Sequence, residues 1–333
     1  MDVAAWCSQS RVWVVAGKGG VGKTTITATL AATGASAGLS VLVVELEGKH
    51  GLGATFGSKG PVGYEPVALR GRGPDDPEAL GKPPAGAVWA RRLTPDDALL
   101  EYLADHGLQR VLKRLVSSGV LDVVATAIPG IRDVLVLGKV KQLERAGVAD
   151  MVILDAPATG HAMTFLTSAS GLFDAARGGP VRQQASDVVE LLRDSARCRV
   201  LLVTLPEEMP VSETIESAQL LRERVGIHLG PIVVNCFEKG PSGLEVPTSD
   251  ALRETGTALE APAVDALEAA RAFRLRRLRL VEEQVERLSR ELPLTQLCVP
   301  RLAAPSIGPA ELDDLAGAMA HAIEALPVPD QTE

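Results

Sequence analysis

The sequence predicts an α/β protein with a mostly parallel central sheet flanked by helices, and three observations carry that prediction. Short apolar runs recur at Val12 to Ala16, Val41 to Val44, Met151 to Leu154, Val200 to Leu205 and Ile232 to Val234. These runs are rich in Val and Ile and lack polar alternation, as strands buried on both faces do. The stretches between them have the length and composition of crossover helices. The order of the strands is not legible at this level.

Taken in order, the first run leads into a glycine-rich turn and then a helix rich in Ala and Thr. From Ser58 to Ala90 the composition shifts to Gly and Pro, with Gly71-Arg72-Gly73-Pro74-Asp75-Asp76-Pro77 and Pro83-Pro84 breaking any period, so this segment is expected to be a surface loop. Thr94-Pro95-Asp96-Asp97 supplies an N-cap and a proline at the first helical position, and apolar residues recur at helical spacing to Val116. Helix is expected again through Ile131 to Leu143 and beyond the third strand. The prediction is one domain over 1–333, with a helical subdomain at approximately 94–145 and 162–196 attached to the sheet. Val264 to Leu292 reads as a long helix, and Ala310 to Leu326 as a final one before a polar tail.

Composition narrows the functional classes. The formal net charge of −8 supplies no long-range attraction for nucleic acid or anionic lipid, so nucleic acid is not a favoured partner. Cys7, Cys198, Cys236 and Cys298 are dispersed, with no CxxC pair to hold zinc, and read as reduced thiols. Apolar stretches are broken well before the ~20 residues a membrane span needs, and a cytoplasmic location is expected.

The turn after the first strand is Gly17-Lys18-Gly19-Gly20-Val21-Gly22-Lys23-Thr24-Thr25, which meets the phosphate-loop pattern GxxxxGK[ST] in full. Glycines are required there because successive backbone N–H groups must turn inward around phosphate oxygens, with the helix N-terminus adding its positive end. Lys23 is placed to reach the β- and γ-phosphates of ATP, and Thr24 to bind Mg2+ through its hydroxyl. Asp155 follows the Met151–Leu154 strand, where a carboxylate sits over the nucleotide crevice, and is the second Mg2+ candidate. The expected fold is therefore a P-loop NTPase.

Lys18, a second lysine just inside the first glycine, resembles the deviant P-loop class that includes ATPases of division-site placement, plasmid partition, nitrogenase reduction and anion transport. That resemblance implies a dimer in which Lys18 reaches the partner's ATP, much as an arginine finger does. Asp155-Ala156-Pro157-Ala158-Thr159-Gly160-His161, continuing to Phe165-Leu166, narrows the likeness. It resembles the arsenite-pump and tail-anchored-protein-targeting ATPases, in which such a segment is a switch reporting the γ-phosphate; the proline here is displaced by one residue. In Glu45-Leu46-Glu47-Gly48-Lys49-His50-Gly51-Leu52, alignment on His50, Leu52 and Phe56 sets Glu47 at the family's catalytic aspartate, which positions the attacking water. The longer side chain implies slow turnover, because a nucleophile misplaced by about 1 Å can cost on the order of a hundredfold. Glu45 is the rival for that role.

The resemblance extends to Ile128-Pro129-Gly130-Ile131, to Glu213-Thr214, to Asn235 as the adenine-recognising residue and to Pro300 in the segment enclosing the base. The implied function is a Mg2+-dependent ATPase acting as a dimeric switch, with a homodimer and a heterodimer with a related subunit both open. Its client is a protein or membrane component. The alternative is a spatial regulator without a client protein. One phosphate loop and dispersed cysteines are unlike a two-halved arsenite pump, and the absent CxxC departs from the zinc-clamped targeting ATPases. The likeness is strongest to single-loop bacterial members.

Overall fold

The computed structural model describes residues 1–46, 51–73, 81–105, 130–157 and 159–327. Among these residues eight strands form one sheet: β1 (Val12–Gly17), β2 (Val41–Leu46), β3 (Val67–Arg70), β4 (Val88–Leu93), β5 (Met151–Asp155), β6 (Cys198–Thr204), β7 (Ile232–Phe237) and β8 (Gln296–Pro300). Their order is β3-β4-β2-β5-β1-β6-β7-β8. Every pairing is parallel except that of β3 with β4 at one edge. β1 lies between β5 and β6, so the chain leaves it toward β2 on one side and later crosses to β6 on the other. That arrangement opens a crevice at the C-terminal end of β1, where α/β sheets bind ligands.

Helices cover both faces. On one face α1 (Val3–Cys7), α2 (Lys23–Ser36) and α11 (Pro309–Glu324) share an apolar core with inward residues such as Trp13, Val43 and Ile153. On the other, α4 (Pro95–Asp105), α5 (Ile131–Arg145), α6 (Thr159–Ala175), α7 (Gly179–Arg193) and α8 (Glu208–Arg224) pack on Val14, Val44 and Leu154. Alternate residues of one strand thus serve opposite cores, which explains why the strand runs are apolar throughout. α3 (Leu52–Thr55) follows β2, and α9 (Thr248–Thr255) packs against α10 (Ala261–Glu291). The expected helices at 264–292 and 310–326 are these α10 and α11.

The expectation of a surface loop from Ser58 to Ala90 is corrected by β3 and the first half of β4. Val88, Trp89 and Ala90 are buried, and the Trp89 indole N–H donates to the Arg72 carbonyl at 2.7 Å. Sequence pattern hid β4 because it carries Arg91 and Arg92. The fold accommodates both, Arg91 over the Tyr64 ring with its guanidinium carbon 4.6 Å from the centroid and Arg92 in an ion pair with Glu45. The Thr94 start signal holds: its hydroxyl oxygen accepts from the Asp97 N–H at 3.0 Å and heads α4. The rest of the helix expected to Val116 lies outside the described residues, as do Ile128 and Pro129.

Candidate nucleotide-binding site

Gly17 ends β1 at the centre of the sheet, and Lys23 begins α2 five residues after Lys18. Two glycines of the intervening loop are demanded by geometry. Gly17 has φ of 149°, and a Cβ there would stand 2.3 Å from the Val203 carbonyl oxygen on β6. Gly22 has φ of 87° at the N-cap of α2, and its Cβ would stand 2.3 Å from Asn235 Nδ2. Only a residue without Cβ permits the turn and the close approach together. Gly17, Gly19, Gly20, Val21, Gly22, Thr24 and Thr25 lie between the end of β1 and the first turn of the 14-residue α2.

Side-chain contacts hold the loop on both sides. Lys23 is buried, and its Nζ donates to the Lys18 carbonyl at 2.8 Å, curling the ammonium back over the loop. Thr24 Oγ1 donates to Asp155 Oδ2 at 2.8 Å, joining the first turn of α2 to the end of β5. Asn235, within β7, donates from Nδ2 to the Val21 carbonyl at 2.9 Å, while its Oδ1 accepts from Cys236 N–H at 2.9 Å. The Asn235 amide thus latches β7 to the loop. Cys236, next in sequence, has φ of 54°, the one non-glycine left-handed residue among those described, and it coincides with the register shift between β7 and β8. No sequence signal marks that strained position.

Lys18 forms an ion pair with Glu213 of α8, both side chains about a third exposed. Sequence had singled out both residues, yet not their contact, because 195 positions separate them. Pro300 ends β8 and lines a cavity of about 730 Å3 with Phe237, Glu238, Arg274, Arg277 and Arg301. Glu238 pairs with Arg274 and Arg301, and these cations hold its carboxylate below the usual range although burial acts the other way. Asp155 is fully buried, and Glu45, also buried, is its in-register neighbour on β2. Glu47 and the rest of the first switch through His50 lie outside the described residues. Thr159, Gly160 and His161 open α6 directly beyond β5, and Phe165 and Leu166 bury the following turn.

The residues present fit Mg2+. Its preferred donors are hard oxygens, and the Thr24 hydroxyl and Asp155 carboxylate are brought together beside a loop whose Gly17 and Gly22 have no room for a Cβ. No cluster of three or more His, Cys, Asp or Glu side chains that could hold a metal ion occurs among the described residues. No helix among them is long and apolar enough to cross a membrane.

A mostly parallel sheet with this loop at its switch point, and a strand-end aspartate bonded to the threonine that follows the loop, defines a P-loop NTPase fold. Comparison with known proteins narrows the class. The profile of the anion-transporting ATPases matches residues 10–70 and 98–174. ATPase BagA of Mycobacterium tuberculosis is 36% identical over 237 residues, covering 68% of this chain and 64% of BagA. Protein Rv2184c of the same organism is 28% identical over 68% of this chain and 59% of its own, and ATPase GET3 of Ajellomyces dermatitidis is 28% identical over 64% and 58%. The chain belongs to the anion-transporting ATPase family, and its match spans just under two thirds of its mycobacterial relatives.

Proposed function

We propose that the protein is a Mg2+-dependent ATPase that works as a dimeric, nucleotide-driven switch. The observation that carries this reading is the Thr24–Asp155 hydrogen bond of 2.8 Å beneath a sterically enforced glycine loop, with Lys23 buried beside it. Backbone N–H groups of Gly19 to Thr24 bind and orient the phosphates, aided by the positive end of α2. Lys23 adds its charge at the β- and γ-phosphates, replacing the bond it now makes to the Lys18 carbonyl. When bound, Mg2+ supplies charge neutralisation between those phosphates. Glu47 is assigned to the attacking water, with slow turnover expected from its extra methylene. The base is assigned to the end of the crevice bounded by Asn235 and Pro300.

Lys18 is assigned to the nucleotide of a facing subunit, either a second copy or a related chain. Its ion pair with Glu213 supports a resting position from which it is released as subunits close. A protein or membrane component is the client in this reading. Hydrolysis of ATP by the purified chain tests the core of the proposal: wild-type protein turns over in Mg2+, and Lys23→Ala abolishes turnover. Mass measurement with ATP, alone and with candidate subunits, tests the dimer. A monomer under every nucleotide and subunit condition would remove the role of Lys18 in trans.

A further inference from the structure

Glu45 has features that a solvated strand-end acid would not show. Its side chain is 1% exposed, and Oε2 accepts from Arg92 Nη2 at 2.9 Å. The other oxygen, Oε1, is buried with no hydrogen-bond partner among the described residues. Buried carboxylate oxygens are rarely left so, because the lost hydration is not replaced. A donor that the described residues do not provide belongs at that atom.

The register identifies the donor. Glu45 pairs with Asp155 on one side and Arg92 on the other, and in-register residues of parallel strands project to the same face. Two residues earlier on each strand, Val43 and Ile153 enter the core beneath α2. Glu45 and Asp155 therefore both point toward the start of α2, where Thr24 already meets Asp155. Two anionic side chains lie side by side there, and Arg92 engages only one oxygen of Glu45. A hydrated divalent cation is the ligand that such an arrangement takes: it offsets both charges, and its waters are strong donors.

We propose that Glu45 is a second carboxylate of the Mg2+ site, accepting a hydrogen bond at Oε1 from water of the ion's hydration shell, and that Arg92 is the residue positioning it. This inference rests on the nucleotide reading above, and it removes Glu45 from competition with Glu47 for the attacking water. Arg92 is on β4 two residues before Thr94, which heads α4, so the pair also ties the metal side of the crevice to the helical layer.

The test measures ADP affinity by calorimetry in excess Mg2+ and in excess EDTA, for wild type, Glu45→Gln and the double variant Glu45→Gln/Arg92→Gln. The double variant removes both members of the Glu45–Arg92 pair and guards against misfolding of the single one. Wild type is expected to bind ADP more tightly in Mg2+ than in EDTA. Both variants should match wild type within twofold in EDTA and lose about tenfold or more of the Mg2+-dependent gain. Electron paramagnetic resonance of Mn2+ added to the ADP complex should show the same weakening. Retention of the full gain in both variants would overturn the assignment of Glu45. Wild-type protein that binds no ADP under either condition would instead overturn the nucleotide reading, and this inference with it.

Discussion

Substitution of Gly22 by alanine is the sharpest perturbation of the loop, because steric and conformational costs fall on the same atom. At φ of 87° an L-residue carries roughly 1–2 kcal/mol of left-handed strain. The new methyl carbon would also lie 2.3 Å from Asn235 Nδ2, closer than side chains approach, so the amide must move. Its 2.9 Å bond to the Val21 carbonyl is then lost within a buried environment, which costs about 1–3 kcal/mol. Together these predict destabilisation of about 2–5 kcal/mol and a melting temperature lower by several degrees. Differential scanning calorimetry without nucleotide reads that change, and ADP titration should show weaker binding because the loop N–H groups are displaced. Asn235→Ala alone should cost about 1–3 kcal/mol, and combination with Gly22→Ala should cost less than the sum, since the truncated neighbour no longer clashes. Strict additivity would refute the proposed contact, and unchanged melting with unchanged ADP affinity in Gly22→Ala would refute the whole account of the loop.

Three other outcomes are expected. Lys18→Ala should abolish ATP turnover while changing ADP affinity by less than about fivefold, because an assisting charge acts in the transition state rather than on the ground state; titration and steady-state rates separate the two. Cys7 and Cys198, whose thiols burial pushes up to about 12, should resist iodoacetamide at pH 8 in the folded protein, whereas the half-buried Cys236 and Cys298 should be labelled first in peptide mass spectra. Burial raises the Asp187 carboxyl, but its bonds with Lys141 and Gln183 outweigh that and hold it below the usual carboxylate range. The pair's stabilisation is thus complete above about pH 4, the ordinary carboxylate value, and is lost as pH falls through the depressed folded one. Asp187→Asn should flatten this acid limb in melting curves. At neutral pH it should cost less than the about 3–5 kcal/mol of a fully buried pair, since Asp187 is a quarter exposed while Lys141 is buried.

Much of the site was readable from local pattern. The loop from Gly17 to Thr25 could be placed because strand, turn and helix are contiguous there, and the needs of a phosphate fix both residue type and spacing. Asp155 could be placed because it ends an unbroken apolar run. The helical start at Thr94 was equally local, a hydroxyl cap followed by proline and acids. β4 was not legible, since Val-Trp-Ala-Arg-Arg-Leu carries two charges whose accommodation depends on Glu45 and Tyr64, distant in sequence. The strained backbone of Cys236 was equally hidden, because a cysteine carries no preference for positive φ.

The sequence by itself determined the α/β class, the glycine-rich loop and the candidate residues, because each is written within a few neighbouring positions by burial period or steric necessity. Tertiary structure alone decided which residues meet. It paired Lys18 with Glu213, latched Asn235 to the Val21 carbonyl, and set Glu45 between Arg92 and Asp155. Those contacts follow from strand order and register, which depend on how separate segments share two cores. A short-range pattern does not encode that sharing.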